Sequence, residues 1–217
     1  ASGRNNGQVI PTYTRHNPDD VVREFGTDQG ERLNRWVGGS ADLVFDLIRH
    51  HGIECDAAQK GWLQPAHTES RMAGLRAKHD QWSERGAAVA MIDRDVMAKL
   101  TGSPIYHGGW IHRSGGHIQP LSYARGLAQA AIAAGASIHC HCPALELRRV
   151  GNHWRVTVPQ GAVDAETVLL ATNAYTDALW PGLVRSIVPV RSFQIATAPL
   201  SANVAATVLP EGHGFSD

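Results

Sequence analysis

The chain has 217 residues, 43% apolar and 18% charged, with 20 Lys+Arg against 20 Asp+Glu, so its formal net charge is zero. That composition excludes a disordered chain or a coiled coil, and the charge balance leaves no basic footprint for nucleic acid. No apolar run approaches the roughly 18 residues a membrane-spanning helix needs; the Ala-rich stretch LAQAAIAAGA (127–136) is too short. The first residues are polar and Gly-containing, which predicts no signal peptide. Cys55, Cys140 and Cys142 are an odd count, and the last two sit too close in a strand-like run to pair with each other. A reducing, cytoplasmic setting is predicted.

Residues 1–10 form a Gly-bearing loop. Asn17-Pro18-Asp19-Asp20 reads as a helix start, with Pro early and acids in the first turn. Apolar residues from Val21 to Ile48 recur at helical spacing, interrupted at Gly38-Gly39, so two helices are predicted, ending near His50-His51-Gly52. IECDAA and GWLQPAHT (53–68) read as short strands, Glu69 to Arg85 as a polar helix, and 92–102 as a short helix stopped by Gly102. IYHGGWIHRSGGHI (105–118) alternates and carries Gly pairs, which predicts two strands around a Gly115-Gly116 turn. PLSYARGLAQAAIAAG (120–135) is a helix bounded by Pro and Gly. Strands are then predicted at ASIHCHC, ALELRRV, HWRVTVP and AETVLLAT, with a long one at 186–198 and nothing regular in the terminal GHGFSD. Helix, strand, small antiparallel excursion, strand is the grammar of the later half of a nucleotide-binding α/β domain.

Four stretches hold residue types that bear chemistry. In ASGRNNGQVI, Gly3 and Gly7 permit close backbone approach to a ligand, Ser2, Asn5, Asn6 and Gln8 supply donors, and Arg4 offsets phosphate charge; a polar terminal tail has the same composition. VLLATNAYTDALW ends an apolar run at Thr172-Asn173, where backbone amides can meet a cofactor, or simply cap the next helix. HCHC (139–142) offers four metal ligands, but in a strand His139 and His141 face one side and Cys140 and Cys142 the other, so no metal site is predicted. In GGHIQP, His117 follows a Gly turn and either projects toward a ligand or serves structure. No GxSxG, HExxH or GxxxxGK[ST] motif is present, and Asp217 stands where GHGFSD would need a third Gly.

Taken together and in order, ASGRNNGQV, HGIECD, GGHIQPLSYARGLAQAA, VLLATNAYT, VPVRSFQIATAPL and LPEGHGFSD resemble FAD-dependent oxidoreductases of the D-amino-acid oxidase superfamily, in the gamma-glutamylputrescine oxidoreductase branch. The resemblance covers essentially the whole chain. It implies that the opening loop lies along the cofactor FAD, with Ser2, Arg4, Asn5, Asn6, Gly7 and Gln8 as contacts. Asn6 stands where the pattern has Gly, so its Cβ either crowds the flavin or sits on a left-handed backbone, which Asn tolerates. Ala144 matches a strand position whose backbone meets the adenine, and Thr172 and Asn173 match a turn near the pyrophosphate. The family pattern places a strand, a GxGxxG turn and a helix before this loop, so the resemblance implies an internal piece of an enzyme.

The fold expected is therefore α/β: a partial Rossmann-like FAD-binding domain (1–18 and 114–184) interleaved with helical and antiparallel substrate-domain segments (19–113 and 185–217). The function implied is oxidation of an amine or amino-acid C–N bond with oxygen as acceptor, acting on a small-molecule amine, with His117 as the substrate-side candidate. Self-association through the exposed edges of strands 137–142 and 165–171 is also expected. Two other readings stay open at this point: a folded inactive fragment without FAD, and a metal-binding module drawing on the 12 histidines.

Overall fold

The computed structural model describes residues 2–190 and 193–217. In chain order its first regular elements are β1 (Gln8–Val9), α1 (Pro18–Phe25), α2 (Thr27–His51), β2 (Trp62–Pro65) and α3 (Glu69–Glu84). Then come β3 (Val89–Ile92), α4 (Arg94–Thr101), β4 (Gly109–His112), β5 (Gly116–His117) and α5 (Pro120–Ala133). The last are β6 (Glu146–Val150), β7 (His153–Val158), β8 (Gly161–Ala165), α6 (Ala202–Ala205) and β9 (Gly214–Phe215). The chain is α/β, as predicted. It divides into two compact units, one of residues 2–130 and 196–217, the other of 131–195, with the division inside α5.

The first helices start and stop on local chemistry. Pro18 opens α1, and the Asp20 carboxylate accepts the Asn17 N–H at 2.9 Å, tying down one of the first-turn donors. Gly52, at φ +60°, closes α2 in the left-handed conformation. The break predicted at Gly38-Gly39 is absent: α2 runs unbroken through both glycines, and the chain turns instead at Gly26. Packing explains the mistake. A Cβ on Gly38 would lie 3.0 Å from the Trp82 ring, so the glycine serves close approach of α3 to α2 and not a helix end.

In the larger unit a four-stranded sheet has the order β3-β4-β2-β9, antiparallel except for the parallel β2–β9 pair. Trp62, Leu75, Trp82 and Trp110 build one core cluster with α3, whereas Leu63, Met97, Tyr106 and Ile111 build another with α4. Alternation sends Trp62 to one face and its neighbour Leu63 to the other. β3 was not foreseen, and of 53–61 only Ala58 bridges, to His117. β4 and β5 do not form a hairpin: β5 leaves to pair with β1. GHGFSD supplies a strand after all, β9. A third cluster, of Val9, Ala41, Phe45, Ile48, Ile53 and Cys55, joins β1 to α2 and the segment that follows it.

The smaller unit is centred on the antiparallel meander β6-β7-β8. Arg155 faces Asp164 across β7–β8 and grips both carboxylate oxygens, each at 2.6 Å. Residues 137–142 and 166–171, and the described part of 186–198, are not strands. Their strand-like patterns fail for one reason: a strand needs a partner, and among the described residues none lies alongside. Leu169, Val188, Phe193 and Ile195 are accordingly exposed. The edges expected to drive self-association do not exist as strands, and HCHC does not alternate, because His141 has φ +53°.

Candidate functional site

The opening loop is held by its own side chains. Ser2–Arg4 make a single 3-10 turn; the Asn5 amide donates to the Ser2 carbonyl while its Oδ1 accepts the Gly7 N–H at 2.7 Å. Asn6 Oδ1 accepts the Gln8 N–H at 3.4 Å. These are Asx turns, in which a side-chain oxygen takes the place of a backbone carbonyl. The left-handed residue is Gly7, at φ +73°, and not Asn6. Gly7 is buried; its carbonyl accepts the Ile118 N–H at 2.8 Å, and a Cβ there would overlap the Ile118 carbonyl oxygen. Ser2, Arg4, Asn5 and Asn6 are exposed.

Gln8 is the fixed point of this loop. In β1 it stands opposite His117, and its Oε1 accepts the Trp62 indole N–H at 2.9 Å, which also reaches Ser216 Oγ at 3.1 Å. An indole nitrogen only donates, so the Gln8 oxygen must face Trp62. The amide NH2 is thereby left as a donor, and among the described residues it has no acceptor. A cleft of about 390 Å³ opens beside it, lined by Ser2, Asn5 and Gln8 from the loop, Ser40 and Val44 from α2, and Tyr123 from α5. One wall is polar and the other largely apolar. Burial raises the Tyr123 pKa and that of nearby Cys55, so both stay protonated at neutral pH.

His117 is engaged. Its Nε2 lies 3.1 Å from the Gly212 carbonyl oxygen, which can only accept, so Nε2 carries a proton. Its backbone is bonded to Ala58 in both directions, at 2.9 and 3.0 Å. Ala144, Thr172 and Asn173 belong to the smaller unit. Ala144 is half-buried just before β6; Thr172 and Asn173 are exposed on a 3-10 turn, Asn173 at φ +48°. So the loop residues and His117 share one unit, and the other three candidates share the second. Trp62, Ser216, Ser40 and Tyr123 were not foreseen. Trp62 and Ser216 lie 54 and 208 residues from Gln8, and only the β1–β5 and β2–β9 pairings bring them together.

A larger cleft, about 610 Å³, is lined by Gly38, Asp42, Trp82, Arg85, His112 and Ser114, and holds none of the predicted site residues. Burial drives the His112 pKa down to about 4; Nδ1 lies 3.0 Å from Ser114 Oγ, and the buried Nε2 has no partner among the described residues. Among the described residues no three His, Cys, Asp or Glu side chains are grouped to hold a metal, and no helix is long and apolar enough to cross a membrane.

The profile of the DAO family, described as FAD dependent oxidoreductase, matches residues 1–215. The chain belongs to this family. Its relatives include the probable oxidoreductase OrdL of Haemophilus influenzae, 32% identical over 225 residues, and the gamma-glutamylputrescine oxidoreductase of Escherichia coli, 27% identical over 219 residues. Each match takes in 100% of this chain and 51% of the relative, so the chain spans about half the length of the curated relatives it matches. Glycine oxidase from Geobacillus kaustophilus shares the fold at TM-score 0.67 and 20% identity, over 81% of this chain and 46% of that one. L-amino acid deaminase from Proteus vulgaris does so at TM-score 0.65 and 16% identity, over 80% and 39%.

FAD is the cofactor of this DAO family, and the 390 Å³ cleft fits part of it. A flavin is a flat, largely apolar ring with polar edges. The cleft offers an apolar helix wall opposite an unpaired amide donor.

Proposed function

We propose that this chain carries the flavin-side loop of an oxidase acting on the C–N bond of an amine or amino acid. The observation that carries the reading is Gln8: Trp62 holds its oxygen and turns its amide N–H groups free, beside a cleft formed by the loop on which the family resemblance depends. The chemistry supplied by bound FAD is two-electron acceptance, which converts an amine to an imine that water hydrolyses, with oxygen as the final oxidant. The chain's own part is to bind and orient. Gly7 lets the loop close down on Ile118 without a side chain between them. Ser2 and Asn5 line the cleft, Arg4 and Asn6 are exposed on the same loop, and Val44 and Leu127 exclude water from the opposite wall. His117 stands opposite Gln8 in the ladder as the substrate-side candidate, with Nε2 held by the Gly212 carbonyl. Segments 1–18 and 114–184 make the FAD-binding part in this reading, with Ala144 toward the adenine and Thr172 and Asn173 toward the pyrophosphate; 19–113 and 185–217 make the substrate part. Three free cysteines suit a cytoplasmic enzyme.

The test uses Gln8→Glu and Gln8→Ala in the protein purified with whatever flanking sequence its reading frame encodes. Gln8→Glu keeps the acceptor for Trp62 and removes the amide donor. Both variants are expected to weaken FAD binding about tenfold, the worth of one hydrogen bond of ~1.4 kcal/mol, with unchanged far-ultraviolet circular dichroism. Wild-type FAD affinity in Gln8→Glu, read by flavin fluorescence, would count against the assignment.

A further inference from the structure

A separate cleft of about 510 Å³ lies away from the Gln8 loop, between the segment that precedes α1, strand β2 and one face of α3. Arg71, Gly74, Leu75 and Lys78 line it, at the i, i+3, i+4, i+7 spacing that puts four residues on one side of a helix. Arg15 and Gln64, with the neutral polar side chains of Thr14, Asn17 and Ser70, complete the wall. No Asp or Glu lines the cleft.

Lys78 is the unusual member. It is only 7% exposed, and its ammonium donates a single hydrogen bond, to the Tyr13 carbonyl at 2.9 Å. Two of its three protons have no acceptor among the described residues. Asp20 is the nearby acid, and it is already committed to Arg23 at 2.6 Å and to the Asn17 N–H. Burial and the like charge of Arg71 both push the Lys78 pKa down, against a smaller lift from Asp20. Gln64 adds a further donor by the logic that fixes Gln8. Its Oε1 accepts the Trp110 indole N–H at 2.9 Å, so its NH2 is left over. Arg15 and Arg71 make no ion pair among the described residues. Three cations and an oriented amide therefore share one cleft without a counter-charge, and a buried ammonium without one is costly. At Gly74 the cleft has room for a side chain: a Cβ there meets nothing within 4 Å.

We propose that this cleft binds a small oxyanion, a carboxylate or phosphate group, between Lys78, Arg71, Arg15 and the Gln64 amide. The site is independent of the flavin-side reading and of its cleft. Guanidinium forks suit a two-oxygen ligand, and the ammonium supplies a point charge behind it.

The experiment is thermal unfolding of the purified protein in sodium phosphate, in sodium succinate and in sodium chloride at matched ionic strength. Phosphate or succinate at a hundredfold above its Kd is expected to raise Tm by about 5–10 °C over chloride. A shift with phosphate alone assigns a phosphate ligand; one with succinate alone assigns a carboxylate. Lys78→Met should abolish the shift and raise Tm in chloride, because an uncompensated charge has gone. Gly74→Glu should do the same by supplying an internal carboxylate, and it carries the test if Lys78→Met does not fold. Exposed Arg71→Gln should weaken binding about tenfold. The proposal is overturned if neither anion exceeds chloride, or if Gly74→Glu and Lys78→Met respond as the wild type does.

Discussion

Replacing Gly7 with alanine tests the geometry of the loop directly. Gly7 has φ +73°, where an L-residue costs about 1–2 kcal/mol because its Cβ crowds the carbonyl. A second cost comes from packing. The new Cβ would overlap the Ile118 carbonyl oxygen, a backbone atom that no rotamer change can move aside. The loop must then back away from the segment after β5, losing the Ile118 N–H to Gly7 carbonyl bond of 2.8 Å, worth about 1 kcal/mol. The total is about 3 kcal/mol, or a fall in Tm of about 6–12 °C for a chain of this size. Urea denaturation followed by tryptophan fluorescence gives the free energy. Hydrogen exchange at Ile118 gives the local answer, since its amide should lose protection before the core amides of β2. Gly39→Ala is the matched control: its Cβ would meet nothing within 4 Å, and in a helix interior it should stabilise by about 0.5–1 kcal/mol. If Gly7→Ala unfolds within about 0.5 kcal/mol of the wild type with Ile118 still protected, the loop does not sit as described.

Two further outcomes concern the larger cleft. His112, 1% exposed, is neutral in the folded chain until pH falls to about 4, whereas the unfolded chain takes up that proton near pH 6.5; stability should therefore fall as pH drops from about 6.5 to 4, by about 3 kcal/mol in all. Denaturation curves of His112→Asn should be flatter across that window, and an unchanged slope would acquit the residue. Arg85 bonds Glu31 through Nε at 3.1 Å and Nη2 at 2.7 Å, and also Asp19 at 2.8 Å, so a lysine cannot reproduce its fork. Arg85→Lys is expected to cost about 1 kcal/mol after solvent screening, measured in urea at pH 7. Its bond holds the Glu31 pKa low, so the wild-type advantage should vanish as pH falls below the ordinary carboxylate range.

Local signals in this sequence were dependable where the physics is local. Asn17-Pro18 opened α1, Gly52 closed α2, Gly102 stopped α4, and Pro120 opened α5, each as its residue chemistry required. What failed was pairing. The alternation in IYHGGWIHRSGGHI correctly marked two strands, but nothing local could say that β5 would abandon β4 for β1. AETVLLAT and VPVRSFQIATAPL have the β-branched content of strands, yet a strand preference is a preference for a half-buried, paired surface. Where no partner lies alongside among the described residues, the pattern is visible and the strand is not. Gly38 failed for the converse reason, its lack of a side chain being used by Trp82 on another helix.

The candidate site was legible to the same depth. Ser2, Asn5, Gly7 and Gln8 could be named from the run ASGRNNGQV, because Gly and Asn at that spacing make a self-bonded turn whatever lies around it. What makes Gln8 a directed donor is Trp62, and Trp62 reaches it only through the ladder geometry of two different sheets. The oxyanion cleft was hidden for a related reason. α3 reads as a polar helix, and a lysine on a polar helix is expected to be solvated. Lys78 becomes a buried cation only because the fold brings the Tyr13 carbonyl, 65 residues away in the chain, to its ammonium, while Trp110 takes the Gln64 oxygen on the same cleft. In both places an indole N–H decides which way an amide points, and the amide then decides what kind of ligand group the cleft can receive. That relation spans strands and helices, so it enters the sequence only as scattered tryptophans.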